Sequence, residues 1–216
     1  MGAVAACLVV VFVVLAVADW AAIWRGAEDR RRITKPAATI ALVALAAFAG
    51  EMAWDARATL VSAVVLCLAG DVALLERSEK RFLLGLAAFA VGHVAYIVTA
   101  LLAGVSWPRL AAAFPVLAIL LGFQAATRTL PGARRRGGTT MLVAVGVYSL
   151  IISAMVVTAF GTQSWLAAAG AALFALSDSL IAYDRFVRPT RRADLPIMVT
   201  YHSGQLLLIG GLIVAG

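Results

Sequence analysis

The chain has 216 residues, 63% hydrophobic and 13% charged, with a formal net charge of +7. That much apolar surface exceeds what one water-soluble core of this length can bury, which excludes a soluble domain and implies a polytopic membrane protein of the all-α class. The basic residues cluster between apolar runs, so the charge reads as loops at an anionic bilayer surface rather than a nucleic-acid footprint, and no nucleic-acid partner is expected.

Apolar runs of about 17 to 23 residues mark transmembrane helices. Eight such runs follow one another at 3–23, 37–54, 59–75, 82–104, 110–127, 139–160, 164–183 and 195–215, forming a single integral-membrane domain over 1–216. In the first, Ala16-Val17-Ala18 has the look of a signal-peptidase site. No positive residue precedes that run and Arg25 and Arg30 to Arg32 follow it, the pattern of a retained helix. Lys35 and Pro36 stand where the second span begins, with proline at a helix start where its missing N–H is harmless. Lys35 there is either a snorkelling lysine or a cation for a lipid phosphate. Pro115 inside the fifth span, after Trp107-Pro108 at its start, predicts a kinked helix. Cys7 and Cys67 both fall within apolar runs and imply neither a disulfide nor a thiolate metal site.

The loops after spans one, three, five and seven hold five, three, four and four Lys or Arg, and the other loops hold only Arg57 and Arg109. By the positive-inside rule the first group faces the cytoplasm and both termini lie outside, as expected for a protein of the cytoplasmic (inner) membrane.

Two carboxylates lie inside apolar runs, where an ionisable group costs at least about 2.5 kcal/mol and marks a functional site by default. Asp71 ends the stretch Leu-Cys-Leu-Ala-Gly-Asp in span three, and Asp178 ends Leu-Phe-Ala-Leu-Ser-Asp in span seven, 107 residues on (178 − 71). Their helices are four spans apart in order, third and seventh, as in two parallel four-helix repeats. Counted from the cytoplasmic ends at about 1.5 Å per residue, Asp71 lies about 6 Å deep, Asp178 about 8 Å, Tyr201 and His202 about 9 to 10 Å, Gln205 about 15 Å and His93 about 16 Å. These depths predict one polar cavity opening toward the cytoplasm. Tyr201 and Gln205 share a helix face, with His202 about 100° round. Gly85, Gly92 and Tyr96 form a stripe that lets a neighbouring helix approach beside His93.

Several chemistries are excluded. The chain has no Gly-x-Ser-x-Gly elbow, His-Glu-x-x-His or phosphate loop. Lys35 and Lys80 both lie outside the spans, which rules out a retinal-type Schiff base. No zinc-ligand spacing occurs, and neither a metal nor another cofactor is expected.

Thr34-Lys35-Pro36, Gly70-Asp71, the series Gly85, Phe89, His93 and Tyr96, then Ser177-Asp178 and Tyr201 with Gln205, resemble the YhhN-like lysoplasmalogenase family over nearly the whole chain. The resemblance implies hydrolysis of the vinyl-ether bond of a lysoplasmalogen to a fatty aldehyde and a glycerophospho-ethanolamine or -choline. A vinyl ether is protonated on carbon, and water captures the resulting oxocarbenium ion. That chemistry needs one carboxylic acid and one carboxylate, as in glycoside hydrolysis. On this resemblance Asp71 and Asp178 share the acid and base roles, with His93 and Tyr201 orienting the water or ether oxygen. Lys35, Tyr96, His202 and Gln205 would contact the substrate, Lys35 at its phosphate. The competing expectation is a proton-coupled carrier or lipid-binding protein in which the aspartates relay protons.

Overall fold

The computed structural model describes residues 2–48, 50–76, 78–126, 129–190 and 193–216, and only the backbone of 116–118 and 120–126. Within these the chain forms helices α1 (Ala3–Trp24), α2 (Glu28–Phe48), α3 (Trp54–Ala73), α4 (Glu79–Ala103), α5 (Trp107–Ala126), α6 (Thr129–Gly161), α7 (Trp165–Phe186) and α8 (Asp194–Ala215). Among the described residues, α1, α3, α4, α6, α7 and α8 are long and apolar enough to cross a membrane, which fits a multi-pass membrane protein. The expected end of the fifth span at Thr127 and the basic residues at 77, 128, 191 and 192 lie outside the described residues.

Three helices depart clearly from the expected bounds. α2 ends at Phe48 rather than at 54, and Trp54 instead opens α3, five residues before the expected 59. The charged Asp55 and Arg57 sit readily in the first turn of a helix although they interrupt an apolar run. α2 begins at Glu28 rather than at 37, so Pro36 is inside the helix and not at its start. Glu28 and Asp29 occupy its first turn, where acidic side chains favour the positive end of the helix dipole, and the helix runs through the basic cluster that ended the apolar run. α6 carries an extra segment from Thr129, broken at Gly137 (φ −136°, ψ 20°) and Gly138 (φ 65°, ψ −157°). The left-handed φ at Gly138 suits glycine, and the apolar part beyond it matches the predicted 139–160.

The helices form a ring in which α1 packs on α2, α2 on α3, α3 on α4, α4 on α6, α6 on α7, α7 on α8 and α8 back on α1. α5 packs on α6 outside the ring, while α8 also reaches α2 and α4 across it. The α7–α8 seam is the tightest. A Cβ built at Gly170 would stand 2.1 Å from Leu208 N, and one at Gly211 would stand 2.1 Å from Ala167 N. Only glycine permits these backbones to come so close. Arg57 donates to the carbonyls of Ala46, Ala47 and Gly50, capping the end of α2. Arg109 likewise donates to Thr162 O beyond α6 and stacks on Trp165.

Candidate active site

Asp71, near the end of α3, is 1% exposed and is met by side chains of two other helices, α2 and α8. Its Oδ2 accepts from Thr39 Oγ1 of α2 at 2.7 Å and from Tyr201 OH of α8 at 2.7 Å. Its Oδ1 lies 3.2 Å from Lys35 Nζ of α2. Lys35 and Thr39 are four apart and so share a face of α2. Lys35 is therefore not a snorkelling lysine at a helix start; the longer α2 carries it into the bundle, where it is buried beside a carboxylate. Behind Tyr201 the bonds run one way. Tyr96 OH donates to Gln205 Oε1 at 2.6 Å, and Gln205 Nε2 donates to Tyr201 OH at 2.9 Å.

Asp178, on α7, belongs to a second centre. Tyr148 OH of α6 donates to its Oδ2, which also lies 3.4 Å from His93 Nε2 of α4. His93 Nε2 is 2.9 Å from the Tyr148 hydroxyl. Because that hydroxyl gives its hydrogen to Asp178, the bonding pattern assigns the imidazole proton to Nε2, pointing at the hydroxyl oxygen. His93 Nδ1 is buried without a partner among the described residues. The Asp178 side chain is 12% exposed, unlike that of Asp71. It lines an apolar pocket between α4, α6 and α7 with Tyr148, Phe89, Ile152, Ile181 and Phe82.

The two carboxylates share no bonding partner among the described residues. Between their centres stand Phe89 and Phe174, whose rings each contact His93 and Tyr201 at centroid distances of 4.7 to 6.4 Å. The single polar cavity expected from depth is thus divided, because depth along a helix says nothing of which neighbour a side chain turns toward. His202 turns away from both centres. Its Nδ1 accepts from Trp20 Nε1 of α1 at 3.0 Å, and Phe12 packs edge-on against its ring.

Sequence reasoning missed Tyr148, Thr39 and Asp19. Asp19 is fully buried on α1 and accepts from Thr34 Oγ1 at 2.9 Å. Tyr148 lies nine residues into its apolar run, about 14 Å deep, close to the depth of His93, and depth matching extended to hydroxyls would have found it. Thr39 was signalled by its four-residue spacing from Lys35.

A family model described as the YhhN family matches residues 30–212. Human lysoplasmalogenase TMEM86B is 32% identical over 156 residues, covering 69% of this chain and 61% of the human protein. Its pig counterpart is 32% identical over 158 residues, covering 70% of this chain and 62% of that protein. A Mycobacterium tuberculosis lysoplasmalogenase is 30% identical over 179 residues, covering 81% and 67%. The chain thus spans about three-fifths of the length of these mammalian relatives. No solved structure matches it. The matched segment runs from the first turn of α2 to the last turns of α8 and contains both carboxylate centres, and the chain belongs to the YhhN family.

Proposed function

We propose that this protein hydrolyses the vinyl-ether bond of lysoplasmalogens, releasing a fatty aldehyde and a glycerophospho-ethanolamine or -choline. The observation that carries the reading is Asp178. It is a partly exposed carboxyl on the wall of an apolar pocket, backed by a tyrosine and a histidine. Membership of the family and the names of the relatives support the same substrate class.

In this reading the alkenyl chain lies in the pocket and Asp178, in its acid form, transfers its proton to the vinyl carbon remote from oxygen. The adjacent carbon becomes an oxocarbenium centre facing the carboxylate just formed. Asp178 then takes a proton from the attacking water, which regenerates the acid. The hemiacetal collapses to aldehyde and glycerol hydroxyl, so one water is consumed for one C–O bond broken. Tyr148 and His93 hold the carboxyl in the orientation for carbon protonation. Asp71, balanced by Lys35 and held by Thr39 and Tyr201, is a positioning residue that acts through the Tyr201 side of the aromatic wall.

The proposal includes eight membrane crossings, α2 and α5 among them, with two parallel four-helix halves and both termini outside. The Asp178 pocket opens toward the basic loops on the cytoplasmic side. Purified protein in detergent, given a lysoplasmalogen and its saturated alkyl-ether analogue, should release aldehyde from the vinyl ether alone. No aldehyde from either, with pH-driven flux in proteoliposomes, would replace the hydrolase by a proton-coupled carrier.

A further inference from the structure

The phosphate expected at Lys35 needs another partner, because Lys35 is enclosed and stands 3.2 Å from Asp71 Oδ1. Along α7 from Asp178, Ile181 and Ala182 line the same pocket, and one further turn brings Arg185 to the same helix face. Arg185 is half-buried and its guanidinium sits over the ring of Phe82 at 3.9 Å, with Phe186 at 6.0 Å. Both rings line the pocket and pack edge-on against each other. No carboxylate stands within ion-pair distance of Arg185 among the described residues. Glu79 and Arg136 are near enough to exert a field on it, one of each sign. A guanidinium seated on an aromatic face keeps its in-plane N–H groups free for an oxyanion, which it can grip with two of them.

We infer that Arg185 binds the headgroup phosphate of the lysophospholipid at the mouth of this pocket and thereby sets the ether bond against Asp178. The inference rests on the hydrolase reading for its substrate class. Seven residues of helix separate the two side chains' Cα atoms by about 10.5 Å. A phosphate, an extended glycerol and an ether oxygen span that distance once a hydrogen-bond length is added at each end. The arrangement also explains selection of lyso substrates. The pocket is a single apolar slot between α4, α6 and α7, and the phosphate at its rim leaves the chain on the first glycerol carbon as the one directed inward.

The test uses the full-length protein in a neutral detergent, with Arg185→Gln and Arg185→Lys beside wild type. Substrates are a lysoplasmalogen and the 1-alkenylglycerol that lacks phosphate. Arg185→Gln should lower kcat/KM for the phospholipid by about 10- to 100-fold, the worth of a hydrogen bond to a charged group. That for the alkenylglycerol should not move, and Arg185→Lys should recover part of the loss. An equal loss on both substrates would reveal a merely structural arginine and overturn the inference, as would unchanged kinetics on both.

Equilibrium binding of the uncleavable saturated ether lysophospholipid separates this inference from the hydrolase reading. Tighter binding by wild type than by Arg185→Gln, absent for the alkylglycerol, supports the phosphate site even if no aldehyde ever forms. Normal aldehyde release with identical binding by the two proteins removes the phosphate site and leaves the hydrolase intact. Displacement of the lysolipid by an equal concentration of inorganic phosphate would assign Arg185 to free phosphate and overturn the headgroup assignment.

Discussion

Lys35 and Asp71 show what a buried pair demands of its surroundings. With side chains 8% and 1% exposed, both charges are largely withdrawn from water, and each is made tolerable by the other. Lys35→Met should lower the stability of the detergent-solubilised protein by about 3 to 5 kcal/mol, since it strands the carboxylate. Adding Asp71→Leu to that variant should recover much of the loss. A thermal melt of the single variant that coincides with wild type would contradict the pairing. Tyr148→Phe removes one bond to a charged group and little volume. It should cut kcat by about 10- to 100-fold while the melting temperature stays nearly fixed. At this scale the sequence singled out Asp71, Asp178, His93 and Tyr201, because ionisable and polar groups in lipid are costly enough to stand out. It did not reveal that Lys35 belongs to Asp71, or that Tyr148 belongs to Asp178. Those facts are distances between helices, and a single chain of letters carries only distances along them.

Helix boundaries show a related gap. Hydropathy located the start of lipid-compatible sequence at 37, but α2 had already been helical for nine residues, because charged residues such as Glu28 and Arg30 to Arg32 form helix readily. The apolar part of α6 was legible to within a residue because Gly137 and Gly138 break the helix where the apolar run begins. The glycine stripe of α4 was also legible, and a Cβ at Gly92 would come within 3.1 Å of Ala63 O of α3. The tighter α7–α8 seam went unseen, since Gly170, Gly204 and Gly211 gain meaning only when the facing helix is known. Gly211→Leu should therefore force α7 and α8 apart and lower the melting temperature in detergent by several degrees or prevent assembly. Gly210→Leu, where a Cβ meets nothing within 4 Å, should be tolerated. Equal behaviour of the two variants would show that the seam is not close-packed.

Over the whole molecule, the ring of helices brings together residues far apart in the chain. α1 lies before the segment matched by the family model, yet Trp20 donates to His202, 182 positions on, and Asp19 accepts from Thr34. The proposed topology also has a direction, with the basic loops assigned to the cytoplasmic end. In a background lacking Cys7, a cysteine placed at exposed Arg188 should react with a membrane-impermeant maleimide only from the cytoplasmic side, and one at exposed Gln163 only from outside. Labelling of both from the same side would refute the crossing of α7. The proposed chemistry turns on one carboxyl, and the most direct measurement is aldehyde release from a lysoplasmalogen by wild type and Asp178→Asn side by side, with folding of both checked by melting. Wild type should produce aldehyde, and the variant should be slower by about 10²- to 10⁴-fold, the range for loss of a general acid. A folded Asp178→Asn protein that releases aldehyde at the wild-type rate would contradict the account.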